Sequence, residues 1–61
     1  MTYRNITLNI GEIKRVETTW WFKVSLPNFN AYCEGFKERK DAEIAAMTLL
    51  DTAIDHKFIK E

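Results

Sequence analysis

The chain reads as a single α+β domain: an antiparallel sheet of three strands, or four, with one C-terminal helix packed on one face. Three observations predict this. Residues 20–26, Trp-Trp-Phe-Lys-Val-Ser-Leu, alternate in the manner of a half-buried strand. Pro27-Asn28 then interrupts the run, and a second alternating stretch returns from Phe29 to Phe36. From about Glu38 the apolar residues recur with the period of a helix, and most of those on the inner side are alanine.

Each element has its own warrant. Between Tyr3 and Ile10, Ile6, Leu8 and Ile10 point one way while Thr7 and Asn9 point the other, which defines a first strand. Gly11 breaks that parity and predicts a bulge or kink, after which Ile13 and Val16 continue the extended pattern. Glu17-Thr18-Thr19 is the expected turn. In the second strand Trp20, Phe22, Val24 and Leu26 share one face, and Trp21, Lys23 and Ser25 share the other. The return strand sets small Ala31, Cys33 and Gly35 against Tyr32, Glu34 and Phe36. The helix runs to Asp55, with Ala42, Ala46, Leu49 and Ala53 on one stripe, flanked by Ala45 on one side and by Met47, Leu50 and Ile54 on the other. Its back carries Asp41, Thr48, Asp51 and Asp55, with Ile44 among them. Residues 57–61 form a tail or a short last strand, with Phe58 and Ile59 folding back on the core.

Size and composition narrow the function classes. A chain of 61 residues holds one domain and buries only about 60% of the surface it exposes when unfolded. Its single cysteine forms no internal disulfide, and no Cys/His cluster offers a zinc site. The absence of a signal sequence and a lone thiol predict a cytoplasmic protein, and no apolar run is long enough to span a membrane. Formal net charge is zero, but residues 1–40 carry a net +3 and residues 41–61 a net −3. A modest basic face can therefore sit on a neutral molecule.

Two constellations carry chemistry. Lys37, Arg39 and Lys40 gather where the helix begins, an end whose dipole disfavours cations and attracts phosphate. Trp21 and Lys23 lie on the sheet face away from the helix, with Arg15 or Lys14 on the neighbouring strand, where they can stack on bases or enter a groove. The same aromatic face, or the helix back around Ile44, Asp51 and Asp55, could instead meet a protein. Cys33 reads as a small buried residue, and His56 suits the negative end of the helix dipole. No arrangement supports acid–base or nucleophilic catalysis, no cofactor is implied, and Asp51 and Asp55 lack a third ligand for a metal.

The segment Trp21-Phe22-Lys23-Val24, followed by Gly35-Phe36-Lys37-Glu38-Arg39-Lys40-Asp41-Ala42-Glu43, resembles the arm-binding domains of phage integrases and related AP2-like modules. The second half also resembles the C-terminal βα part of double-stranded-RNA-binding domains. These likenesses imply that Arg39 and Lys40 touch phosphate, that Trp21 and Lys23 read a groove, and that the chain derives from a phage or mobile element. Val24-Ser25-Leu26-Pro27-Asn28-Phe29, with Glu34-Gly35 and the alanine-rich helix following, resembles HicB-type antitoxins, whose βββα unit binds a partner protein. Each likeness covers about half the chain. The leading expectation is a small nucleic-acid-binding accessory protein. The alternative is a protein-binding regulator, antitoxin-like or an inhibitor of a host enzyme. Neither is an enzyme, and the open sheet edge leaves a homodimer as a further arrangement.

Overall fold

The computed structural model describes residues 1–59. Five elements follow in order: β1 (Thr2–Tyr3), β2 (Ile6–Lys14), β3 (Thr18–Leu26), β4 (Phe29–Phe36) and α1 (Arg39–Asp55). The strands form one antiparallel sheet in the order β1-β2-β3-β4, so every strand pairs with its neighbour in sequence. The helix covers one face. A fourth strand therefore exists, but at the N-terminus: residues 57–59 form a turn and bend, and Lys60 and Glu61 lie outside the described residues.

Arg4 and Asn5 link β1 to β2, and both have positive φ (51° and 65°). This is the backbone of a two-residue type I′ hairpin turn, whose twist matches that of the strands it joins. Arg15, Val16 and Glu17 form the β2–β3 turn, where the Arg15 amide donates to the Glu17 carbonyl at 3.4 Å. Thr18 and Thr19, expected in that turn, are the first residues of β3, because β-branched side chains suit a pleated ladder. Val16 stands fully exposed at the tip. Pro27-Asn28 closes the next hairpin as expected, leaving Leu26 opposite Phe29.

The expected bulge at Gly11 does not occur, since β2 pairs with β3 in unbroken register from Leu8–Val24 to Lys14–Thr18. The irregularity lies across the sheet. Trp21 pairs with Glu34 and Trp20 with Phe36, so Gly35, with φ 93°, is the extra residue of a β-bulge. That insertion reverses parity and turns Phe36 onto the helix side, where its ring stacks 5.9 Å from Phe22. The expected grouping of Phe36 with Tyr32 and Glu34 is corrected accordingly.

Between sheet and helix, Phe22, Leu8, Leu50 and Val24 are fully buried, joined by Ile6, Ala42, Ala46, Ala53 and Ile59. Burying each of the larger side chains contributes about 1.5–3 kcal/mol. Alanine at positions 42, 46 and 53 brings the helix backbone close to Phe22 and its neighbours without overfilling the layer. Leu50 rather than Leu49 fills the centre, and Leu49 packs at the margin. Past Asp55, the Phe58 amide donates to the Ala53 carbonyl (2.8 Å) and the Lys57 amide to the Ile54 carbonyl (3.0 Å). This pair of bonds, with Lys57 at φ 62°, is a Schellman cap. It swings Ile59 into the core but leaves Phe58 exposed, against the expectation that both fold inward. Cys33 is likewise exposed rather than buried, because it lies on the edge strand β4, beyond the reach of the single helix.

Candidate functional site

Strand alternation places two cross-strand rows on the face away from the helix. One is Gly11–Trp21–Glu34 and the other Asn9–Lys23–Tyr32. Ser25 and Asn30 extend the face toward the Pro27 hairpin, and Ile13 and Thr19 toward the opposite tip. The surface is therefore mostly polar, with one aromatic pair at its centre.

Trp21 is half-buried although no helix covers it. Its indole packs directly against the backbone of Gly11: a Cβ built at Gly11 would come within 2.5 Å of Trp21 Cζ2 and 2.8 Å of Nε1. Glycine is thus required here by a close approach of side chain to backbone. Tyr32 lies diagonally across, with ring centroids 6.1 Å apart and planes tilted by 30°, a favourable offset arrangement. The Tyr32 hydroxyl donates to Glu34 Oε2 at 2.8 Å, and this bond, followed by desolvation and the Glu34 charge, raises the phenol above its ordinary value. The Arg15 charge acts in the opposite direction, so the guanidinium and Tyr32 share one electrostatic neighbourhood.

The expected site residues divide among three regions. Trp21 and Lys23 lie on the open face, whereas Arg15, expected on the neighbouring strand, sits in the β2–β3 turn beyond the end of β2. Lys37, Arg39 and Lys40 are exposed at the β4–α1 junction, but two of these cations already hold partners. Arg39 Nε donates to Glu43 Oε1 at 3.0 Å and its guanidinium sits 5.9 Å over the Trp20 ring, on the helix side of the sheet. Lys40 Nζ lies 3.6 Å from Glu38 Oε2. Ile44, with 56% exposure, and Asp55 face outward on the helix back. Asp51 does not belong with them. It accepts the Tyr3 hydroxyl at 3.0 Å and Arg4 at 3.1 Å, and so holds β1 against the helix.

Lys14 is paired with Glu12 and Arg4 with Asp51, whereas Arg15 and Lys23, like Lys37 and Lys57 elsewhere, form no ion pair among the described residues. Glu34 is engaged by the Tyr32 hydroxyl. The described residues contain no group of three or more His, Cys, Asp or Glu side chains suited to a metal ion. No helix among them is long and apolar enough to cross a membrane. Asn9, Gly11 and Tyr32 are among the members of the face that sequence reasoning did not single out for the site. Parity alone pairs Tyr32 with Lys23, but placing Gly11 under Trp21 requires the β2–β3 register.

No protein-family model matches the chain, and no curated protein or solved structure matches it either.

Proposed function

We propose that this chain is a nucleic-acid-binding module that contacts duplex DNA with its open sheet face. The observation that carries the reading is that Arg15 and Lys23, without carboxylate partners, flank an aromatic pair on an otherwise hydrogen-bonding surface. Cations already in ion pairs must give up a carboxylate to meet phosphate, whereas unpaired cations neutralise phosphate at no such cost and release the counterions condensed on the DNA. Two neighbouring strands, about 5 Å apart, form a ribbon of the kind that the roughly 12 Å major groove of B-form DNA admits. Asn9, Lys23, Ser25 and Asn30 would meet base edges or phosphates there. The corresponding groove of an RNA duplex is too narrow for such a surface. Trp21 is held in place on this face by its close packing against Gly11.

The test is a salt titration of binding to random duplex DNA, with duplex RNA in parallel. Affinity in the range of about 1–100 μM is expected, falling as salt rises. Lys23→Ala and Arg15→Ala should each lower the log–log salt slope by about one. Arg39→Ala with Lys40→Ala should alter it less. No binding at low salt, or a slope indifferent to Lys23 and Arg15, rejects the reading. A protein partner is then the second reading, favoured by the exposure of Ile44 on the helix back. Ile44→Asp would abolish capture of that partner.

A further inference from the structure

We infer that the outer edge of β4 pairs antiparallel with the same edge of a second copy, on a two-fold axis at Tyr32. β4 is a sheet edge, and no described residue pairs with its outer side. The opposite edge is covered by β1 at its start, and its open remainder, residues 9–14, carries Glu12 and Lys14. Edge strands are ordinarily blunted by lysine, proline or a bulge. The stretch Phe29–Glu34 contains none of these, and the Gly35 bulge comes only after it.

The register follows from the hairpin. Leu26 and Phe29 flank a two-residue turn and form a hydrogen-bonded pair. Alternation then directs the N–H and C=O groups of Asn30, Tyr32 and Glu34 outward. An antiparallel partner that satisfies all three sets Asn30 opposite Glu34 of the second copy, Tyr32 opposite its own counterpart, and Ala31 opposite Cys33. This arrangement is self-complementary. An amide meets a carboxylate, two aromatic rings meet across the strands, and no like charges face each other. The chain is neutral overall, so two copies do not repel. A partner with an unrelated sequence has no such match built into this edge. The contact is isologous and closes on itself, because each copy offers one such edge. Its extent is small beside the roughly 800 Å² per partner of stable complexes, so the dimer dissociates in the micromolar range or above. This inference does not depend on the ligand of the sheet face.

A cysteine scan of the edge tests it. In the proposed register Cys33 lies about 8 Å from its own counterpart, too far for a disulfide. It lies about 4.5 Å, Cα to Cα, from Ala31 of the second copy, within the range a disulfide spans. Ala31→Cys in the full chain should therefore form a covalent dimer under oxidised glutathione, while Cys33 alone cross-links slowly. Adding Asn30→Pro, which removes only an outward N–H, should leave the circular dichroism spectrum intact. It should weaken dimerisation about tenfold or more, by sedimentation equilibrium, through the two symmetry-related hydrogen bonds it deletes. A wild-type chain that stays monomeric at several hundred micromolar overturns the inference. So does an Ala31→Cys variant that cross-links no faster than wild type, or a dimer that Asn30→Pro leaves unchanged.

Discussion

Substituting Gly11 by alanine probes the contact on which the open face is built. The new Cβ would stand 2.5–2.8 Å from three atoms of the Trp21 indole. Carbon atoms pack best at about 3.5–4.0 Å, so the ring must lift by roughly 1 Å or swing outward. Overpacking of this kind costs about 1–3 kcal/mol. Alanine is also intrinsically better than glycine in a strand by about 0.5–1 kcal/mol, because the unfolded chain loses freedom. The net expectation is destabilisation of about 1 kcal/mol, or a fall in Tm of about 4–8 °C for a domain of this size. The double-mutant cycle with Trp21→Ala separates the two contributions. In that background the clash is gone, and Gly11→Ala should become neutral or stabilising by up to about 1 kcal/mol, which makes the coupling about 1–2 kcal/mol. Urea denaturation of the four proteins supplies the cycle, and fluorescence in a Trp20→Phe background reports the environment of Trp21. An equal effect of Gly11→Ala in both backgrounds, with unchanged Trp21 emission, would refute the close approach as the reason for glycine.

Three further outcomes follow from the same geometry. Lys57→Gly should stabilise the chain by about 0.5–1 kcal/mol in urea melts, because Lys57 occupies the left-handed position of the helix cap at φ 62°. Asp51→Ala deprives the Tyr3 hydroxyl and Arg4 of their shared acceptor. The carboxylate is 44% exposed, so a loss of only about 1 kcal/mol is expected, with faster amide exchange in β1 and its turn. Tyr3 and Tyr32 both have phenol values raised above 10.0, the first mainly by its bond to Asp51 and the second mainly by its bond to Glu34. The folded state therefore holds these protons more tightly than the unfolded state. The associated stability is present below about pH 10 and is lost as pH rises through the folded values. Alkaline urea titrations should show this decline, and Tyr3→Phe should reduce it.

The parts of the fold legible in the sequence are those governed by local period. Trp20–Leu26, the Pro27-Asn28 turn and the alanine stripe of the helix rest on alternation, proline chemistry and helical spacing, and all stand as expected. What was not legible depends on register or on non-local partners. Gly11 by itself signals a bulge or kink, because a glycine in a strand marks either an irregularity or a close approach, and only the opposite residue distinguishes them. Arg4-Asn5 gave no turn signal because the usual glycine is absent, yet both residues adopt positive φ. Asp51 looked like a free acid on the helix back, since its partners Tyr3 and Arg4 are nearly the whole chain away in sequence. Cys33 looked buried from its small size, but a single helix covers the middle of the sheet and not its edge. At the site, parity correctly put Trp21 and Lys23 on one surface. It could not show that Arg39 and Lys40 spend their charge on Glu43 and Glu38.

The uncrossed strand order also bears on how the molecule reaches its folded state. Each hairpin joins chain neighbours, so the sheet can grow by successive short loop closures as the N-terminal part of the chain emerges during synthesis. Its hydrophobic side has no cover at that stage. Phe22, Val24 and Leu8 wait for Ala46, Leu50 and Ala53, and the seal is completed only by Ile59, the last described residue. Any state in which the helix is undocked leaves that apolar face of the sheet open to aggregation.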